Sequence, residues 1–92
     1  MNELVLKIYD LVTTSHNLYS VKWRDIYEIV PYSVMEAVGE SPKVKEFLRQ
    51  ASLGYSVGDS IINAFGKGKL TNEEQEFLKA IYRALGSIAI FV

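Results

Sequence analysis

Apolar residues recur at helical spacing along most of the chain, most clearly over residues 71–92. Thr71 and Glu74 have the spacing of a capping box, and this predicts a helix that begins here. Apolar side chains then follow at steps of three and four residues, the pattern of a helix that buries one face. No charged residue follows Arg83, so the last turns are apolar nearly all round. We expect this end either to form the centre of the fold or to contact a partner.

Cap residues and prolines predict the helices of the first half. Asn2 caps a helix over residues 3–14, and Ser20 caps a second helix over residues 21–30. Pro31 ends the second helix. Because proline is tolerated in the first turn of a helix, Pro31 also opens a short third helix.

The second half has the clearest helix boundaries. Ser41 at a cap position, Pro42 in the first turn and Gly54 just beyond the end predict a helix over residues 42–53. Ser56 then caps a further short helix, which a glycine closes before the final helix begins.

These elements predict an all-α fold. No run of strictly alternating apolar and polar residues reaches strand length, and the chain contains no internal repeat or low-complexity linker. A length of 92 residues with 49% hydrophobic composition supports a core without disulfides or metals. We predict one compact domain, residues 1–92, built as a bundle of five or six helices with short connections.

The chain offers no assembled catalytic or metal-binding motif. It has no cysteine and a single histidine, His16, so no zinc site of histidine and cysteine ligands can be built. Gly54, Ser56 and Gly58 match the G-x-S-x-G pattern of a hydrolase nucleophile, but a helix precedes them where that motif needs a strand. The histidine also lies upstream of the serine. We therefore predict a non-enzyme with no catalytic residue, no metal and no cofactor.

The net charge of −1 hides a division along the chain. Residues 1–41 carry a net charge of −3 and residues 42–70 a net charge of +3. Within the basic segment, residues 66–69 have the glycine and lysine content of a phosphate-binding turn. The spacing of a P-loop is missing, however, and three acids begin the next helix, where they would repel phosphate. We expect a solvated connection there.

The amino-terminal residues lack the pattern of a signal peptide, because acids lie beside the lysine and no small-residue cleavage site follows. No uncharged apolar run approaches the length of a membrane span. We therefore expect a cytoplasmic protein without a membrane partner.

Residues 42–53 have the outline of the reading helix of a helix-turn-helix, because a short helix and a tight turn are predicted before them. Their polar face carries candidate nucleic-acid-binding side chains: Lys43, Lys45, Arg49 and Gln50. The lysines would contact phosphates, and Arg49 or Gln50 would reach base edges. Glu46 on the same face and the acidic first part of the chain argue against this function. DNA binding is therefore the alternative.

The apolar surplus at the carboxyl end favours a protein-binding function. Four side chains there would exceed what the last turn of a small domain can bury: Ile88, Ile90, Phe91 and Val92. Tyr55 is a further candidate, because large aromatic side chains are frequent interface anchors. We predict a non-catalytic module that binds a larger protein. A homodimer would cover the same surface equally well.

In its length, its helical pattern, its lack of cysteine and its abundance of tyrosine and lysine, the chain resembles the small helical accessory subunit of the crenarchaeal B-family DNA polymerase holoenzyme. The resemblance covers the whole chain and involves no short motif, so it transfers no functional residue. It implies a non-enzymatic subunit of archaeal DNA replication. Such a subunit binds the catalytic polymerase chain and helps that chain to remain folded and active at high temperature.

Overall fold

Helices account for most of the described chain. The computed structural model describes residues 2–15, 21, 26, 35–36 and 41–90, with side chains up to residue 87. Four helices lie in these ranges: α1 (Glu3–Thr14), α2 (Pro42–Ser52), α3 (Val57–Phe65) and α4 (Asn72–Ile90). No described residue forms a strand, so the all-α prediction is confirmed.

The described helices number four, against the five or six that the sequence predicts. The difference concerns the predicted helices over residues 21–30 and after Pro31, which lie mostly outside the described residues. Within that segment Val21, Ile26 and residues 35–36 are described. Ile26 and residues 35–36 have helical backbone, and Val21 does not.

The helix starts lie where the cap residues predict them. The Oδ1 of Asn2 accepts a hydrogen bond from a first-turn backbone N–H of α1 at 2.8 Å. The Oγ of Ser41 does the same for α2 at 3.3 Å, and the Oγ of Ser56 for α3 at 3.2 Å. Pro42 occupies the first turn of α2. These side chains satisfy N–H groups that have no partner within the helix, and the predicted boundaries are confirmed.

Three phenylalanines join the later helices at the core. Phe47 of α2, Phe65 of α3 and Phe77 of α4 are all fully buried. Their ring centroids lie 5.9 to 6.1 Å apart, and the rings of Phe47 and Phe77 meet edge to face. Burial of one such side chain contributes about 1.5–3 kcal/mol, and each ring pair adds about 0.5–1.5 kcal/mol. The apolar stripe predicted for the final helix is confirmed by its buried residues: Phe77, Leu78, Ile81, Ala84 and Leu85.

Helix α1 completes this core by packing against α3 and α4, while α2 packs against α3. The closest approach of α1 and α3 is at Gly58, where an added Cβ would lie 3.4 Å from Cγ1 of Val12. The radius of gyration is 11.9 Å, close to the value of about 12 Å expected for a compact chain of this length. The accessible surface of 5794 Å² is also near the roughly 5,400 Å² expected from the mass.

Glu74 ties the beginnings of α2 and α4 together. Its side chain is buried, and its Oε1 accepts a hydrogen bond from the Thr71 backbone N–H at 2.8 Å. The Oγ1 of Thr71 in turn accepts from the Glu74 N–H at 3.1 Å, so the predicted capping box is confirmed. The other carboxylate oxygen accepts from the Oγ of Ser41, the cap of α2, at 2.5 Å.

The ionisation of Glu74 reflects this setting. Burial raises the pKa of the carboxyl group, but hydrogen bonds from Ser41 and Thr71, together with the charge of Lys43, lower it by more. The pKa therefore lies below its usual value, and Glu74 is charged at neutral pH.

Candidate protein-interaction surface

The turn between α2 and α3 exposes two large apolar side chains. Leu53 is 61% exposed and Tyr55 is 50% exposed, and only Gly54 separates them. We call residues 53–55 the tip. The other large apolar side chains exposed among the described residues, Leu6 and Tyr82, are less accessible and lie on different helices. Two exposed apolar side chains so close along the chain, at the end of a helical hairpin, offer apolar surface that a partner can cover.

The backbone of the tip is fixed by a Schellman motif. The Gly54 N–H donates to the Ala51 carbonyl at 3.1 Å, and the Tyr55 N–H donates to the Gln50 carbonyl at 3.3 Å. Gly54 has a φ of +92°, the left-handed conformation that this motif needs and that glycine adopts without strain. Because the turn is already ordered, binding through its side chains loses little backbone entropy.

A polar network lies next to the tip on the surface of α2. The carboxylate of Glu46 accepts from Arg49 Nε at 2.9 Å, from Arg49 Nη2 at 2.6 Å and from Gln50 Nε2 at 2.9 Å. The Oε1 of Gln50 accepts from Asn63 Nδ2 at 3.2 Å, and this bond links α2 to α3. The network holds four polar side chains in one arrangement at the base of the tip.

The charges of this network stabilise one another. Hydrogen bonds from Arg49 and then Gln50 lower the pKa of Glu46 from 4.5 to about 2. The hydrogen bond that Arg49 donates to Glu46, and then the negative charge of Glu46, raise the pKa of Arg49.

The side chains proposed to read DNA are engaged within the protein. Arg49 and Gln50 both bind Glu46, and the Nζ of Lys43 donates to the backbone carbonyl of Lys67. Lys45 is exposed on α2. A base contact by Arg49 or Gln50 would have to break the pairing with Glu46. The first helix of the predicted helix-turn-helix lies outside the described residues.

The apolar carboxyl end is described only in its backbone. Helix α4 extends through Ile90, but the side chains of Ile88 and Ile90 lie outside the described residues, as do Phe91 and Val92. Partner binding by these four residues stays a prediction. Tyr55 is the predicted partner-binding residue whose side chain is described, and it lies exposed at the tip.

Leu53 is a surface residue that sequence analysis missed. The signal is present in the helical period. Leu53 follows Val44 by nine residues, which is two and a half turns, so the two side chains lie on roughly opposite sides of α2. Val44 is buried in the core, and Leu53 therefore faces solvent.

In the described part of the chain, the serine of the G-x-S-x-G sequence has a role as a helix cap. The Oγ of Ser56 caps α3 by accepting from the Asp59 N–H, and the element before it is α2. His16 lies outside the described residues. In the described ranges, no group of three or more histidine, aspartate or glutamate side chains could hold a metal ion. None of the four helices is long and apolar enough to cross a membrane.

The tip and the adjacent network are the features on which a functional proposal can be based. Comparison with known proteins adds no further indication of function. No protein-family model matches the chain, and neither a curated protein nor a solved structure is similar to it.

Proposed function

We propose that the chain is a non-catalytic interaction module that binds a larger protein through the tip. The observation that carries the proposal is the exposure of Leu53 and Tyr55 on an ordered turn. Most other large apolar side chains among the described residues are buried, and a pair exposed to water adds little to the stability of the domain. Covering it with a partner would remove apolar surface from water at little entropic cost.

The surroundings of the tip fit the anatomy of a protein interface. Interfaces have an apolar centre with a polar rim, and tyrosine and arginine are frequent among the residues that dominate binding. Here the tip supplies the apolar centre, while Glu46, Arg49 and Gln50 supply an ordered rim. The rim is exposed, so it contributes more to orientation than to affinity.

Such a module acts by stabilising the folded form of its partner and needs no catalytic chemistry. A subunit that binds only the folded form of its partner stabilises that form by about 2.7 kcal/mol when its concentration is 100 times the dissociation constant. The whole-chain resemblance suggests a partner, the catalytic chain of an archaeal B-family DNA polymerase. In this proposal the apolar residues 88–92 extend the binding surface, and the helices predicted over residues 21–39 complete a bundle of six.

Site-specific photo-crosslinking tests the proposal. A photoreactive phenylalanine analogue replaces Tyr55 in one variant and Tyr82, which is 38% exposed on α4, in the control variant. Both are expressed in the native host and irradiated, and adducts are identified by mass spectrometry. We expect one stoichiometric partner to react at position 55 and less or none at position 82. Recovery of a lone, unreacted monomer at cellular concentration would contradict the proposal.

The polymerase assignment has its own test. The purified catalytic chain is heated with and without this protein, and the half-life of DNA synthesis is measured. The proposal predicts a longer half-life with the wild-type chain and a smaller gain with the double variant Leu53→Ser, Tyr55→Ser. The double variant Leu6→Ser, Tyr82→Ser removes exposed apolar side chains elsewhere and serves as the matched control. An unchanged half-life with the wild-type chain rejects the polymerase as partner.

A further inference from the structure

A groove lies at the opposite end of the α2–α3 hairpin from the tip. Its volume is about 390 Å³, and it is lined by residues from the start of α1, the α3–α4 connection and the first turns of α4: Asn2, Gly66, Gly68, Lys69, Leu70 and Gln75. Lys43, beside this connection, precedes Leu53 of the tip by ten residues, or roughly 15 Å along α2. The groove is therefore separate from the proposed interface, and an inference about it does not depend on the proposed function.

The connection forms one wall of the groove through Gly66, Gly68 and Lys69. Gly68 has a φ of +76°, and Lys43 Nζ donates to the carbonyl of Lys67, which holds the turn in place. Among the described residues, the N–H groups of Lys67, Gly68 and Lys69 donate no hydrogen bond. Successive N–H groups in such a turn form a concavity that binds anions.

The charge around the groove is positive. Lys43, Lys67 and Lys69 lie on or beside the connection, within the segment whose net charge is +3. From the sequence alone, the three acids that begin α4 were expected to repel an anion at this position. Each of these acids is accounted for in the structure.

The carboxylate of Glu74 is buried, accepts hydrogen bonds from Ser41 and Thr71 and interacts with the charge of Lys43, so part of its negative charge is compensated. Glu76 pairs with Lys79 at 3.2 Å. Glu73 precedes the groove residue Gln75 by two positions, or roughly 200° around the helix, and therefore points to the other side. Repulsion from α4 is much weaker than the sequence suggests.

We propose that this groove binds the phosphate group of a small phosphorylated molecule. The free N–H groups and the Lys69 ammonium supply donors for the phosphate oxygens, which accept several hydrogen bonds at once. The Oδ1 of Asn2 is already used by α1, so its NH₂ group is available to the rest of the ligand. Gln75 donates through Nε2 to the Leu70 carbonyl at 3.4 Å, which leaves its oxygen as an acceptor. The volume lies within the range of small-molecule sites.

A nitrogen-15 NMR titration of the whole protein with ribose 5-phosphate tests the proposal, with ribose as the uncharged control. We expect saturable shifts of the Lys67, Gly68 and Lys69 amides with the phosphorylated sugar, and none with ribose. Lys69→Gln removes a charged donor and should weaken binding by about tenfold. Arg83→Gln removes an exposed charge eight residues from Gln75 on α4, roughly 12 Å away, and should leave binding unchanged.

Further arms of the titration distinguish the source of the phosphate. Tighter binding of ribose 5-phosphate than of inorganic phosphate supports a small phosphorylated molecule, and equal binding assigns the site to free phosphate. Shifts of the same amides by a short DNA duplex at lower concentration would overturn the small-molecule assignment. The absence of saturable shifts at about 10 mM ribose 5-phosphate, or wild-type affinity in Lys69→Gln, would overturn the site itself.

Discussion

Replacement of Glu74 by alanine should destabilise the domain more than any other single change of a charged residue among those described. One carboxylate caps α4 through the Thr71 N–H and holds the cap of α2 through the Ser41 hydroxyl. Glu74→Ala removes both bonds and leaves two donors without their acceptor. Because the site is buried, water replaces the lost bonds poorly.

The expected magnitude follows from the two hydrogen bonds. Each bond to a charged group contributes about 1.5–3 kcal/mol, so their loss would cost about 3 kcal/mol even at the low end. A domain of this size has about 5–15 kcal/mol of stability in total. A loss of about 3 kcal/mol corresponds to a fall in Tm of about 12–24 °C. Glu73→Ala, which changes an exposed side chain in the same helical turn, should change stability by no more than about 0.5 kcal/mol.

Urea denaturation followed by circular dichroism at neutral pH measures these free energies. A double-mutant cycle with Ser41→Ala isolates the bond between the two helices, because the loss of the α2 cap itself cancels in the cycle. We expect a coupling free energy of about 1.5 kcal/mol or more. A free energy of unfolding of Glu74→Ala within about 1 kcal/mol of the wild-type value would contradict this role of Glu74. A coupling free energy below about 0.5 kcal/mol would contradict the bond between the two helices.

Four further predictions follow from the described contacts. Folding lowers the pKa of Glu74 below its usual value of 4.5. The stability that the ionised carboxylate contributes is therefore complete above pH 4.5 and is lost as the pH falls through the pKa of the folded state. The stability difference between wild type and Glu74→Gln, measured by denaturation, should therefore shrink with acidification below pH 4.5. Gly54→Ala meets open space but has a φ of +92°, so urea denaturation should show a loss of about 1 kcal/mol. Ser60 has a buried Oγ without a hydrogen-bond partner among the described residues, so Ser60→Ala should leave Tm unchanged or raise it. Fluorescence anisotropy with duplex DNA should show weak binding. If the affinity instead falls steeply with salt, charge reversal of Lys43, Lys45 and Arg49 should abolish binding if α2 is the DNA-binding helix.

Local structure was predictable because its determinants lie within a few residues of one another. Asn2, Ser41 and Ser56 each bond an N–H two or three positions ahead, so their cap roles can be recognised from the sequence. The bond between Ser41 and Glu74 spans 33 positions and depends on how α2 and α4 pack, which no periodic pattern specifies.

The same distinction applies to the candidate surface. The pair of Glu46 and Arg49 has a spacing that favours contact on one helix, so the mutual engagement of these residues was open to prediction. The bond from Asn63 to Gln50 requires α3 to lie beside α2 and was not. Tyr55 was selected for its aromatic side chain alone. The structure adds that Tyr55 is exposed, as is Leu53, and that the turn between α2 and α3 is held by Schellman hydrogen bonds.

The most direct test of the central claim is the affinity of this protein for the partner that reacts at position 55, measured by isothermal titration calorimetry. Loss of even one residue that dominates an interface costs about 2 kcal/mol or more, so the double variant Leu53→Ser, Tyr55→Ser should bind at least about 30-fold more weakly than wild type. The variant Leu6→Ser, Tyr82→Ser should bind as wild type does. Equal affinity of all three proteins would contradict binding through the tip.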